Sequence, residues 1–415
     1  MSDLCGESSI RLVRLPEESR AHYRREVIFS CYKWDPQVGD ANTISNHALV
    51  LSADAASHLM RCAEDLAKET VAMERELLSR PTLRTELCFP KSIEKAFPRA
   101  ESWLRTNHPR IMRFDFHPTF SQWAVSEVNS DVPGGFAEAS FLPRLAAKFI
   151  PGVQATGDPV LAVAQAFAAR IRDGGKIALV YATSYADDRQ VMRCLADGLE
   201  SAGFKTVLAA PDHLRWTAAG SAECIAEGQQ GPIAGVVRFF PAEWMPLLPR
   251  SSGWQGYFAS PLPAGNHPSA LLVQSKRLPL IWDRLSADTT RWRELLPETR
   301  SPGWTGLRHS EEWVFKPAFG RVGEGITIHE AMSQKERRRI EATAILSPKH
   351  WVMQRRFDSR PLAVADGVRH VCIGVFVVDG KFAGFYGRMS ARPRIDQHAC
   401  DVPVLVEQSV DEVKK

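Results

Sequence analysis

The chain has 415 residues, 44% of them apolar and 24% charged. At about 150 residues per domain that is room for two or three units with a sizeable core, and the composition excludes disordered, fibrous and collagen-like classes. Fifty-two Lys and Arg against forty-eight Asp and Glu leave a net charge of +4, too small an excess over this length to argue for nucleic acid as a partner.

No stretch reaches the roughly 20 apolar residues that cross a bilayer, and residues 1–18 lack the basic-then-apolar plan of an export signal. A cytoplasmic location with no membrane partner is the expectation. The eight cysteines are scattered between Cys5 and Cys400 without CxxC or knuckle spacing, which argues against structural zinc and for buried, reduced thiols.

In chain order, Ser52 is a helix N-cap, followed by Leu59, Cys62, Ala63, Leu66, Met73 and Leu77 at helical spacing until Pro81 stops the run. The first hundred residues thus read as a partly helical subdomain without recognisable chemistry. Residues 110–116 and 123–129 are two short extended runs, a predicted hairpin. An apolar helix over 161–171 precedes a strand at 176–181, a helix at 187–200 with Met192, Leu195 and Leu199 inward, Gly203 as its C-cap, and a strand at 206–209. That is one βαβ unit. Its turn, Ala182-Thr183-Ser184-Tyr185, has no glycine, which disfavours NAD. Residues 261–267 are rich in Pro and Gly and read as a linker, followed by a helix that includes Lys276 and Trp282. Strands at 313–316, 326–328, 351–354 and 371–378 surround a basic helix at 334–346, so the last third is α+β.

Two constellations can carry chemistry. In the hairpin, side chains two apart share a face, which groups Arg113 with Asp115 and Glu127 with Asn129. Two carboxylates and an amide oxygen make a hard-oxygen set suited to Mg²⁺, with a guanidinium beside it for an anion. A solvated polar strand face is the other reading of the same residues. Downstream, Lys316-Pro-Ala-Phe-Gly320-Arg321-Val-Gly323-Glu-Gly325 joins two strands through a glycine loop. The lysine precedes the glycines, so this is not a Walker A loop, but glycines still let backbone N–H groups approach phosphate oxygens. A turn that merely needs positive φ fits equally well. Lys276, Gln354 and Arg388 gain meaning only from their order along the chain. The histidines do not cluster, and no Gly-x-Ser-x-Gly elbow is present.

Taken together and in order, these residues resemble the synthetase domain of the glutathionylspermidine synthase family from about residue 110 to 407. Arg113-x-Asp115 is followed twelve residues after the Asp by Glu127-x-Asn129; then come Lys276, Lys316-Pro317 with Gly320-Arg321-x-Gly323, Gln354 and Gly387-Arg388. The resemblance implies an α/β and α+β chain with an ATP-grasp fold in circularly permuted order and a pre-ATP-grasp α/β subdomain. Its domains would be 1–108, a partly helical subdomain; 109–150, the metal-binding strands; 151–262, the pre-ATP-grasp unit; and 263–415, the nucleotide-binding part with a glycine-rich lid. It further implies that Asp115, Glu127 and Asn129 ligate the Mg²⁺ of ATP. Lys276 and Lys316 would hold phosphates under the loop Gly320, Arg321, Gly323 and Gly325, with Gln354 at the adenine edge. Arg113 would face the reacting carboxylate, and Arg388 would close the site.

The sequence departs from the family pattern at Ser130-Asp131-Val132-Pro133-Gly134-Gly135 and at Met389, and the amidase domain of some relatives is not found in these 415 residues. Carried over, the resemblance implies an ATP-dependent carboxylate-amine ligase that forms an amide through an acyl phosphate from two small-molecule substrates. Asp131 and Glu138 stand nearby in sequence as candidates for the base. A nucleotide-binding regulatory protein without turnover is the alternative, and a phosphotransferase that stops at the acyl phosphate is a third reading.

Overall fold

A computed structural model describes residues 6, 8–100, 108–172, 174–304, 310–320, 326–328 and 332–408. It is a mixed α/β protein. In chain order its main elements are β1 (Ile10–Arg14), α1 (Glu17–Ser30), β2 (His47–Leu51), α2 (Ala53–Ser79), β3 (Ile111–Pro118), β4 (Trp123–Asn129), α3 (Phe136–Ala146) and α4 (Pro159–Ala168). There follow β5 (Lys176–Val180), α5 (Ala186–Ser201), β6 (Lys205–Ala209), β7 (Gly235–Arg238), β8 (Trp313–Pro317) and α6 (Gln334–Leu346). The last are β9 (Trp351–Arg355), β10 (Gly367–Val378), β11 (Lys381–Ser390), β12 (Cys400–Val402) and β13 (Val404–Glu407).

The site is built on an antiparallel sheet ordered β12-β11-β10-β3-β4. Apolar residues alternate along β3, so Met112, Phe114 and Phe116 bury one face in the core that α2 also joins. Helix α2 starts where Ser52 Oγ accepts the N–H of Ala55, and its stripe Leu59, Cys62, Ala63, Leu66, Met73 and Leu77 is fully buried. The other face of β3 and β4 is left to Arg113, Asp115, Glu127 and Asn129.

A parallel sheet, ordered with Ala264–Gly265 beside β7, β5 and β6, contains the expected βαβ unit. Strands β8 and β9, with Thr299–Arg300, form a third sheet on which α6 packs through Ala344. The fourth joins β1, β2, β13 and Val153–Gln154, and β13 pairs parallel to β2, so the end of the described chain lies against its beginning.

Three expectations are corrected. The segment read as a linker turns inward and its end, 265–267, is buried: Ala264–Gly265 pairs with β7, and Asn266 accepts the Ile111 N–H at 2.7 Å while donating to the Ile111 and Ser130 carbonyls. Lys276 is not inside a helix. It sits between two short 3₁₀ turns, Pro268–Val273 and Leu278–Arg284, each with a proline in its first two positions that no helix interior accepts. Residues 326–328 form no strand; Thr327 runs beside β8 through an N–H to the Phe315 carbonyl, while its hydroxyl accepts the Phe315 N–H. Residues 321–325, which hold Arg321, Gly323 and Gly325, lie outside the described residues.

The turn after β4 locks the hairpin to the parallel sheet. Asp131 is fully buried, ion-paired with Arg238 at the end of β7, and accepts the Ala242 N–H at 2.9 Å. Removing one partner of a buried pair leaves the other charge uncompensated, at a cost of about 3–5 kcal/mol. Asp131→Ala is therefore expected to lower the urea midpoint by an amount equivalent to several kcal/mol, and a near-wild-type midpoint would show that Arg238 does not depend on this carboxylate.

Candidate active site

The register of the hairpin decides whether its polar face is a site. Arg113 pairs across from Asn129 and Asp115 from Glu127, with a bulge immediately after Asp115, so all four side chains emerge on one face. Arg113 grips Asp115 with both arms, Nε at 2.7 Å and Nη2 at 2.9 Å, and donates its remaining Nη1 to the Gly134 carbonyl at 2.6 Å. Asn129 Nδ2 donates to the same carboxylate at 3.0 Å. Burial opposes the charge of Arg113, but Asp115 outweighs it and raises the guanidinium pKa further. The guanidinium also lies 4.9 Å from the Tyr386 ring centroid.

This course needs Gly374, which faces Asp115 on β10. A Cβ there would stand 2.7 Å from Arg113 Cδ.

The basic residues approach from the opposite side. Lys276 Nζ lies 3.0 Å from Glu127 Oε2 and donates to the Gly320 carbonyl at 2.8 Å, tying the hairpin to the start of the glycine-rich segment. Lys316 Nζ donates to Gln354 Oε1 at 2.7 Å and to the Ser126 carbonyl at 3.3 Å. Gln354 in turn donates to Thr299 Oγ1 at 3.0 Å. Arg388 is held by the carbonyls of Asp396 and Ala399. Burial alone would raise the Glu127 carboxyl, but Lys276 and then Lys316 outweigh it and hold it down at about 2. For Lys316, burial is the larger effect: it brings the amine down to about 8 against the pull of Glu127, and Lys276 adds repulsion.

A cavity of about 810 Å³ is lined by Arg113, Asp115, Glu127, Asn129, Lys316, Gly320, Gln354 and Arg388. Lys276 reaches it through Glu127 and Gly320. The structure therefore brings together every described residue that the sequence singled out for this chemistry. Of the two candidate bases, Glu138 lines the cavity, whereas Asp131 is consumed by Arg238 and is not on the wall.

The donor set suits a hard dication: two carboxylates and an amide whose oxygen and nitrogen exchange by a simple flip. Among the described residues no three His, Cys, Asp or Glu side chains gather as a metal cluster. The sequence reading missed Gly374, Tyr386, Lys33 and Asp401. Tyr386 was within reach, since it lies two residues before Arg388 on one strand and so shares its face; the other three meet the site only through tertiary contacts.

A family model described as glutathionylspermidine synthase preATP-grasp matches residues 14–407. The chain belongs to that family. No curated protein matches it. Among solved structures, a chain described as "Putative gamma-glutamylcysteine synthetase" from Methylobacillus flagellatus KT is similar at 14% identity and a TM-score of 0.42, covering 80% of this chain and 88% of that one. No helix among the described residues of this glutathionylspermidine synthase family member is long and apolar enough to cross a membrane.

Two outcomes follow from the geometry. In ¹³C-methyl NMR of reductively methylated protein, one lysine is expected to titrate near 8 instead of near 10.5, to vanish in Lys316→Arg and to move lower in Glu127→Gln, where its supporting charge is gone. An upward move in Glu127→Gln would contradict the pairing. Gly374→Ala forces Arg113 off Asp115 and, as overpacking of a filled site, is expected to cost about 1–3 kcal/mol by chemical denaturation.

Proposed function

We propose that this protein is an ATP-dependent carbon–nitrogen ligase that joins a small carboxylate to an amine through an acyl phosphate, releasing ADP and phosphate. The observation that carries the reading is the meeting, at one cavity, of an oxygen-donor face on β3 and β4 with Lys316 on its wall and Lys276 behind Glu127, at the foot of a glycine-rich segment. Family membership supports the same class. On this reading the fold is an ATP-grasp in circularly permuted order, with residues 109–150 supplying metal-binding strands, 151–262 a pre-ATP-grasp unit and 263–415 the nucleotide side.

Asp115, Glu127 and Asn129 would hold Mg²⁺, which when bound neutralises phosphate oxygens. Lys276 and Lys316 would hold the phosphates, the segment Gly320, Arg321, Gly323 and Gly325 would cover them, and Gln354 would meet the adenine edge. Chemistry of this kind depends on positioning and charge neutralisation more than on covalent participation by the protein. Arg113 is suited to the developing oxyanion: its guanidinium is held rigidly from both sides and keeps its charge, so little reorganisation is needed when negative charge appears. Arg388, fixed by two carbonyls, would close the same end.

The test is an ADP-release screen over pooled carboxylates and amines with mass spectrometry of products. Amide product with ADP in the wild type, and none above background in Asp115→Asn, is the expected result. Nucleotide binding with no ADP from any pool would favour the non-catalytic alternative, and ADP with acyl phosphate but no amide would favour a phosphotransferase. With a substrate pair in hand, Arg113→Ala should lower kcat by about 10²–10³, the usual loss for one oxyanion donor, with a smaller effect on ATP affinity.

A further inference from the structure

Beyond Tyr386 the cavity wall carries a second set of charges. Lys33 Nζ lies 2.8 Å from Glu138 Oε1 and 2.8 Å from Asp401 Oδ2, and the Tyr386 hydroxyl donates to Asp401 Oδ1 at 2.9 Å. The Glu138 and Asp401 side chains are only 13% and 6% exposed. All four residues line the cavity. Two buried carboxylates converging on one nitrogen constitute a receptor for a primary ammonium. Here the chain's own lysine fills it. Burial opposes the charge of Lys33, but Glu138 and Asp401 outweigh it and raise its pKa; in return Lys33 overcomes burial to keep Glu138 below the usual carboxylate range.

The backbone that delivers Lys33 is not relaxed. Tyr32, the residue before it, has φ of +59°, a left-handed conformation unfavourable for an aromatic side chain. It is held there from several sides. Its hydroxyl donates to Asp197 on α5 at 2.5 Å, its ring rests on Phe141 of α3, and the next N–H beyond Lys33, that of Trp34, donates to Gln190 of α5 at 2.6 Å. Strain kept in place by such anchoring, beside a lysine in the cavity, marks a built position. The other buried acids of the wall already have partners, Asp115 in Arg113 and Glu127 in Lys276; Asp188 is half-buried and also engaged, while Asp35, Asp187 and Asp358 are exposed to water that screens them.

We propose that Lys33 is a specificity-determining residue: by occupying the Glu138–Asp401 receptor it restricts the amine substrate to one whose distal end carries no positive charge. A second ammonium brought to this wall would meet Lys33 and find both carboxylates already engaged. The inference rests on the ligase reading for the word substrate, but its test does not require turnover.

Wild type, Lys33→Met and Lys33→Arg are titrated calorimetrically, without nucleotide, with 1-aminopentane and 1,5-diaminopentane, which differ only in the distal group. Wild type and Lys33→Arg are expected to take the diamine no better than the monoamine. Lys33→Met should bind the diamine at least about ten-fold more tightly than wild type does, with the monoamine changed by less than about three-fold. An unchanged diamine affinity in Lys33→Met, or a wild type that already prefers the diamine by about ten-fold, overturns the proposal. If Lys33→Met does not fold, the wild-type preference decides: the diamine bound more tightly refutes it, and no preference supports it. Since nucleotide is absent, a chain that never turns over gives the same readout, and the ligase reading is judged by ADP release alone.

Discussion

A carboxylate removed from water persists only with a cation and hydrogen bonds beside it, and the inner wall of this cavity is built under that constraint. Asp115 is matched by Arg113, Glu127 by Lys276, and Glu138 with Asp401 by Lys33. Lys276 and Lys33 come from parts of the chain far from the acids they meet, so those pairs also fix how the elements around the cavity meet. Lys276 is the clearest case. Its ammonium joins β4 to the Gly320 carbonyl and its backbone N–H joins the Ala318 carbonyl, which holds Ala318 and Gly320 to the hairpin by contacts at both ends of one residue.

The same constraint explains why some residues at the site are small. Arg113 reaches both Asp115 oxygens only because β10 presents Gly374 opposite, and Tyr386 stands against the turn only because Gly135, at φ of +95°, has no side chain to meet its ring at 3.0 Å. Neither glycine has a side chain of its own to offer, yet each sets where a charged or aromatic group lies. Geometry at the wall is thus specified by absences of volume as much as by polar groups.

How much of this was legible in the sequence follows from the range of the interactions involved. Helix α2, the β3–β4 hairpin and the βαβ unit were readable because cap, period and breaker are local signals, and the polar hairpin face followed from period two alone. The segment 261–267 was misread because Pro and Gly mark a solvent linker and a buried crossing alike; what distinguishes them is Asn266 bonding to Ile111, 155 positions away. Lys276 meets Glu127 of the hairpin but from another element than the sequence predicts, since Pro279 forces a new start where an uninterrupted helix is expected. Lys33 carried no signal at all. Its partners lie 105 and 368 positions downstream, and the strained residue that aims it, Tyr32, looks ordinary in sequence.

The two ends of the cavity differ in their surplus of charge. At the hairpin end Arg113, Lys276 and Lys316 face Asp115 and Glu127, so cations exceed acids and the field favours a polyanion. At the far end Lys33 stands between Glu138 and Asp401, and Arg388, paired across from Asp401, acts on the same two acids, so that end carries no surplus. A divalent cation entering the hairpin end by itself would have to compete with Lys276 for Glu127 and with Arg113 for Asp115. Accompanied by phosphate oxygens it would not, because the cations it displaces then have anions of their own to pair with. Metal retention on this wall should therefore be conditional on a bound polyphosphate, and a free chain that held Mg²⁺ tightly by itself would contradict the charge arrangement from which the ligase reading starts.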